Sequence, residues 1–218
     1  MTILLQDDFE TIDFSKWDAT VINGGTGTVV ATAPYRGSYH AKFTVDGVAA
    51  PEYAYVRKDF PAQLVIYFRA YVQFLTSPSN GFSQNFMFLE GSPVNIAWVY
   101  VYNDGGTLRW QIQYRTSVGY FYSYAASGPA LNTWYSVELY VKIDSVNGEY
   151  KLIVNGVQVI SITGVDNAFG HNGVTRVIPI IICDEILAAT IYFDSIIIAD
   201  TIVGPDATGL TRVPHASL

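Results

Sequence analysis

Apolar and polar residues alternate with a period of two along most of the chain, and no amphipathic helix of about ten residues or more can be read. About thirteen strand-like segments are separated by Gly, Asn, Asp and Pro clusters. The clearest stretch is 133–163, where residues 134–143 alternate and Asn147-Gly148 predicts a turn. Residues 150–154 return, Asn155-Gly156 predicts a second turn, and 157–162 come after it. Asn-Gly between alternating runs is a hairpin signal, because type I′ turns need positive φ at both central residues. The pattern predicts a three-stranded meander. Residues 63–75 predict a long strand with Leu64, Ile66, Phe68, Ala70, Val72 and Phe74 on one face, and Val65, Tyr67, Arg69, Tyr71 and Gln73 on the other. Further strands are predicted at 85–90, 94–102 and 108–115, with Asp104-Gly105-Gly106 turning the chain before the last. The Ile-rich runs 177–183 and 190–199 read as core strands, and Pro179 places the first at an edge or in a bulge.

No linker or internal repeat divides this pattern. It predicts one all-β domain over residues 1–200, a two-sheet antiparallel β-sandwich of jelly-roll type. Alternation stops after Asp200, and Gly204-Pro205 and Pro214 interrupt the remaining residues. The tail 201–218 is expected to be extended, lying on the surface or docking on a neighbouring subunit.

Composition narrows the partners. Half of the 218 residues are hydrophobic and only 14% are charged, which suits a large β core and half-buried pleated surfaces. The net charge is −7 and no Lys/Arg-rich stretch occurs, so nucleic-acid binding lacks its electrostatic footprint. The most apolar run, 177–183, is too short to span a bilayer as a helix, so no membrane insertion is expected. The opening Met1–Asp8 has no basic n-region and turns acidic at once, unlike a signal peptide. An extracellular, cell-surface or virion-surface location would then be reached through a leader removed upstream or by another route. Cys183, the single cysteine, excludes an intrachain disulfide and reads as a small buried hydrophobe.

Three motifs carry a family resemblance. Asp7-Asp8-Phe9-Glu10 with Phe14-Ser15-Lys16-Trp17-Asp18 is similar to the opening strand and turn of the concanavalin A-like lectin/glucanase superfamily, in the sense that includes laminin-G-like domains. Asn132-Thr133-Trp134-Tyr135-Ser136-Val137-Glu138-Leu139, with Leu152-Ile153-Val154-Asn155-Gly156-Val157, resembles its W-h-x-h-E … h-h-V-N-G-V hairpin. Residues 191–199 resemble the strand that returns beside the N-terminus. The resemblance implies a concanavalin A-like jelly roll, a fold that hosts lectins, hydrolases, lyases and structural parts.

The residues match parts of that range unequally. Glycoside hydrolases of the superfamily carry paired carboxylates on one strand, whereas Glu10, Glu52, Glu90, Glu138, Glu149 and Glu185 are scattered. Glu138 is expected to face solvent or pair with a neighbour. If the strands from 63 to 115 form one concave sheet, its outward face gathers Tyr67, Arg69, Tyr71 and Gln73, then Trp98, Tyr100 and Tyr102, then Arg109, Gln111, Gln113 and Arg115. Gln111-Ile112-Gln113 resembles the Q-I-H motif of alginate lyases with Gln in place of His. Of the three histidines, His40 alone could join a site, and it reads more simply as a surface residue. Aromatic rings offer flat apolar surface to sugar C–H groups, while Arg and Gln supply in-plane donors.

The set is therefore expected to bind a glycan or polysaccharide without catalysis. The alternatives are a self-associating structural subunit of an extracellular filament or virion, and a lyase acting on acidic polysaccharide. No cofactor is expected. Calcium would draw on Asp7, Asp8, Asp194 or the Asn103-Asp104 loop, though no calcium-loop spacing occurs.

Overall fold

The computed structural model describes residues 1–91, 94–183 and 185–205. Strands β1 (Ile3–Asp7), β2 (Ala19–Asn23), β3 (Gly25–Val30), β4 (His40–Val45) and β5 (Glu52–Gln63) open the chain. Next come β6 (Val65–Phe74), β7 (Ser83–Gly91), β8 (Val94–Asp104), β9 (Thr107–Thr116) and β10 (Gly119–Tyr124). The last are β11 (Trp134–Lys142), β12 (Gly148–Val154), β13 (Val157–Val165), β14 (Val174–Cys183) and β15 (Ala189–Ala199). Among the described residues there is no helix.

The strands form two antiparallel sheets that are not closed into a barrel. The eight-stranded sheet runs β13-β12-β11-β6-β15-β4-β3, and β1 pairs with β15 beside β4. The seven-stranded sheet runs β10-β9-β8-β7-β14-β5-β2. Alternate residues of both sheets point between them. Ile66, Phe68, Ala70, Val72 and Phe74 from β6 meet Phe86, Val99, Trp110 and Ile112 from the opposite layer in one core. Phe74 packs edge-on against Phe86, centroids 5.1 Å apart, the arrangement that ring quadrupoles favour. Cys183 is buried, as its apolar run implies.

The meander β11-β12-β13 forms as the alternation predicts. Its second turn has the geometry that Asn-Gly encodes, with φ 49° at Asn155 and 80° at Gly156. The first turn differs. Gly148 is already in β12, and Asp144 makes the turn by accepting from the N–H groups of Val146 and Asn147, both at 2.8 Å. Pro179 lies in a central strand, not at an edge, and the register against β7 shifts between Pro179 and Ile182.

One expectation fails with consequences for function. Residues 63–115 do not form one sheet: β6 belongs to the eight-stranded layer and β7, β8 and β9 to the other. Alternation reveals that a strand has an inner face. It does not reveal from which side of the core that face looks in.

The segment after β15 crosses the outer face of the eight-stranded sheet, where Val203 packs on Ile197, Ala199 and Tyr67. The rest of the expected tail 201–218 lies outside the described residues.

Candidate functional site

The eleven candidate residues divide between two outer faces that look away from each other. Tyr67, Arg69, Tyr71 and Gln73 are on β6, where the register sets Tyr140, Glu138, Ser136 and Trp134 of β11 beside them. This face is covered. The chain before β4 lays Tyr35 flat on Tyr71, with ring centroids 3.6 Å apart and planes 15° from parallel. The Arg36 N–H donates to Asp194 Oδ2 at 2.9 Å, and Ser38 and Tyr39 donate to Glu10 Oε1 at 2.7 and 3.0 Å. From the other end of the chain, Gly204 N–H donates to Glu138 Oε2 at 2.7 Å, and the Tyr71 hydroxyl donates to the Pro205 carbonyl.

These two segments turn an apparent surface into an interior. Arg69, Tyr71, Ser136, Glu138, Asp194 and Ser195 are all buried. The Arg69 guanidinium lies 4.8 Å from the Tyr71 ring centroid, a cation–π contact. Burial pushes the Glu138 carboxyl above its usual range, partly offset by the N–H groups of Gly204 and Val203 and by Arg69. Burial likewise raises Asp194, to about 7, against the lowering pull of hydrogen bonds from Arg36, Ser195 and Tyr35. Glu138 therefore does not face solvent. His40 is not a surface histidine either: it is fully buried, with its ring 4.4 Å from Tyr192 and 5.9 Å from Trp134. Burial, then the charge of Lys42, lowers its pKa to about 4.

The other seven candidates do share the outer face of the seven-stranded sheet, where all but Gln111 reach solvent and Gln111 is buried between its neighbours. Trp98 and Tyr100 of β8 lie opposite Gln113 and Gln111 of β9, and Tyr102 lies opposite Arg109. Beyond β9, strand β10 sets Tyr120, Tyr122 and Tyr124 against Arg115, Gln113 and Gln111. Side chains link across three strands. Tyr100 Oη donates to Gln113 Oε1 at 3.0 Å, and Gln113 Nε2 donates to Tyr122 Oη at 2.9 Å. Ser83 Oγ donates to Gln111 Oε1 at 3.2 Å, and Arg115 Nη1 donates to Tyr120 Oη at 3.0 Å. Arg109 pairs with Asp104 at 2.9 Å. Trp98 is stacked on Phe88, centroids 4.8 Å apart and planes 5° from parallel, and meets Tyr120 at 5.5 Å. Tyr102 and Tyr124 approach to 5.6 Å. Toward β14 the surface becomes apolar, where Phe88, Ile178 and Ile180 pack with Tyr53, Tyr55, Trp98 and Ile182.

Sequence reasoning missed Tyr120, Tyr122 and Tyr124. Their signal is a Tyr-x-Tyr-x-Tyr run after Gly119, a short stretch of period two.

The acidic residues considered as calcium ligands are dispersed. Asp7 accepts from Trp17 Nε1 at 2.7 Å and pairs with Lys16 at 3.1 Å, while Asp194 accepts from Arg36 N–H and Asp104 pairs with Arg109. Among the described residues, no group of three or more His, Cys, Asp or Glu side chains could hold a metal ion.

By sequence, neither a family model nor a curated protein matches the chain. By structure it is similar to a cellulose-induced protein, Cip1, at 19% identity and a TM-score of 0.68, over 92% of this chain and 99% of that one. A carbohydrate esterase from Shiga toxin-encoding bacteriophage phi24B is similar at 14% identity and a TM-score of 0.62, over 90% and 97% of the two chains. An alginate lyase from Klebsiella pneumoniae is similar at 8% identity and a TM-score of 0.59, over 82% and 85%. These likenesses show the fold, a two-sheet jelly-roll β-sandwich, in agreement with the fold that the sequence resemblance implies. Identities this low speak to the fold, and the jelly roll places no residue in a role by itself.

Proposed function

We propose that the protein is a non-catalytic recognition module that binds a glycan across the outer face of its seven-stranded sheet. The observation that carries this reading is the bridge Tyr100–Gln113–Tyr122, which ties rings on β8 and β10 to one amide on β9. Rings held in this way lose little rotamer freedom when a ligand arrives. Trp98, Tyr102, Tyr120 and Tyr124 extend the same surface, so a sugar chain crossing the strands meets successive aromatic faces with amide, hydroxyl and guanidinium groups between them. A carbohydrate esterase and an alginate lyase on this fold are compatible with a glycan ligand. The non-catalytic part rests on the distribution of side chains. Arg69 and His40 are buried on the opposite sheet, away from the Tyr/Gln surface. A location outside the cell, or on a cell or virion surface, is in keeping with this reading.

The test is a glycan array and then affinity electrophoresis with the retained polysaccharide. Tyr102→Ala and Gln113→Ala should each weaken retention about five- to tenfold, the size of one lost aromatic or hydrogen-bonded contact. Lys151→Ala, on the other sheet, should leave it unchanged. Retention of no glycan on the array would overturn the reading.

A further inference from the structure

The edge strand β10 has the chemistry of an unfinished sheet. It pairs on one side with β9, in unbroken register, and among the described residues no strand pairs with its other side. Ala125 N–H donates to the Trp110 carbonyl at 2.9 Å, so Ala125 and, two and four residues back, Ser123 and Phe121 turn their backbone groups toward β9. The backbone N–H and C=O groups of Tyr120, Tyr122 and Tyr124 therefore point outward along the free edge. Exposed edges invite a further strand and are ordinarily blunted by Lys, Pro, bulges or brevity. β13, at the edge of the other sheet, has two register shifts against β12. β10 has none, and no charged residue occurs between Arg115 and Glu138. Its side chains are also unusually open for aromatics: Tyr120 is 41% exposed, Phe121 42%, Tyr122 54% and Tyr124 48%.

The geometry points to a second copy of this chain as the partner, with β10 pairing antiparallel to β10 about a two-fold axis at Tyr122. The strand is self-complementary in that register. Tyr122 faces Tyr122 of the other copy, Tyr120 faces Tyr124, and Phe121 lies over the small Ser123, so no large side chain opposes another on the core side. All three facing pairs present outward backbone groups, giving roughly six new hydrogen bonds. The two seven-stranded sheets become one, and both tyrosine rows meet at its centre. The absence of charge on the edge matters because each chain carries a net charge of −7. Two copies would repel at most other approaches. A six-residue strand spans only about 20 Å, so the contact is smaller than a standard interface, with a dissociation constant on the order of tens of micromolar. None of this depends on the glycan reading.

Sedimentation velocity of the whole chain from about 1 to about 200 µM, bracketing that constant, should show a monomer passing to a dimer. The register is tested by two cysteine variants under mild oxidation, with circular dichroism confirming that each folds. Tyr122→Cys sets two thiols across the axis, where paired Cα atoms lie about 5.5 Å apart, within disulfide reach. It should give a covalent dimer. Tyr120→Cys should not, because its two copies lie about 13 Å apart, four strand positions away. Cys183 is buried and common to both. A monomer over the whole range would overturn the proposal. A dimer in which both variants cross-link equally, or neither does, would overturn it too by placing the contact elsewhere.

Discussion

The ring of Tyr35 rests on the ring of Tyr71 with 3.6 Å between centroids, and this stack is what closes the outer face of the eight-stranded sheet over Arg69. Tyr35 comes from a segment without regular structure, so its contribution is to hold the loop before β4 in place. Stacked aromatic pairs contribute about 0.5–1.5 kcal/mol beyond area burial. Tyr35→Ala is expected to lower stability by about 1–2 kcal/mol, since Tyr35 remains 37% exposed and leaves no closed cavity. The more telling readout is amide hydrogen exchange. The N–H groups of Arg36, Ser38 and Tyr39, bound to Asp194 and Glu10, should lose protection while those of β6 keep it.

Asp194 and His40, on neighbouring strands β15 and β4, bias stability in opposite directions over the same pH window. Asp194 has a pKa near 7 in the fold against 3.8 ordinarily, so the folded state keeps a proton that the unfolded chain releases. Its stabilising contribution is complete below about 3.8 and is lost as pH rises through about 7. His40, near 4 against 6.5, gives the reverse: stability is lost as pH falls from about 6.5 through about 4. Each slope is at most about 1.4 kcal/mol per pH unit, and together they leave a shallow profile. Asp194→Asn should therefore expose a profile that rises with pH, and His40→Gln one that falls. Urea midpoints taken from about pH 4 to about pH 8 would separate the two, and parallel profiles for both variants would refute the assignment.

The meander shows what local sequence conveys. Asn155-Gly156 forms the predicted turn because both residues can take positive φ and the flanking strands are consecutive, so every determinant lies within a few residues. Sheet membership is different. Nothing within 63–75 distinguishes a strand looking into the core from one side from a strand looking in from the other, and the expected single face divides for that reason. The candidates on β8 and β9 stay together because a two-residue Gly105-Gly106 hairpin fixes them in register. The burial of Arg69 and Glu138 is hidden for a third reason. Their cover comes largely from non-periodic segments distant in sequence, Tyr35–Tyr39 and Val203–Pro205, which carry no pattern to read.

At the turn itself, Gly156 has φ 80°, a region that side chains with a Cβ enter at a cost. Gly156→Ala is expected to destabilise by about 1 kcal/mol. Asn155 does more than turn the chain: its N–H donates to the Ser136 carbonyl at 2.8 Å, and its Oδ1 accepts from the Ser136 N–H at 2.9 Å. Asn155→Ala removes that acceptor at a half-buried site and should cost about 1–3 kcal/mol. Chemical denaturation would read both, and an Asn155→Ala loss smaller than that of Gly156→Ala would mean that the side-chain bond contributes little.

Arg69 and Glu138 are register partners across β6 and β11, and both are almost wholly shut off from solvent. Each charge was taken out of water at a cost of several kcal/mol, and each leaves some of its polar atoms without a hydrogen-bond partner among the described residues. Removing one member should therefore be worse than removing both. Arg69→Ala strands the Glu138 carboxylate and opens a cavity, with an expected loss of about 3–5 kcal/mol. Glu138→Gln retains an acceptor for Gly204 N–H and sheds the cost of a buried charge, but leaves the guanidinium without its counter-charge, so the loss should be smaller than for Arg69→Ala. The double variant Arg69→Met with Glu138→Gln should regain most of the stability lost in Arg69→Ala, since Met refills the volume and neither charge remains. A double-mutant cycle with Arg69→Met and Glu138→Gln as the single changes should give a coupling energy of at least about 1 kcal/mol. Strict additivity would mean that the two charges are stabilised independently, Arg69 by the Tyr71 ring and Glu138 by the N–H groups of Val203 and Gly204.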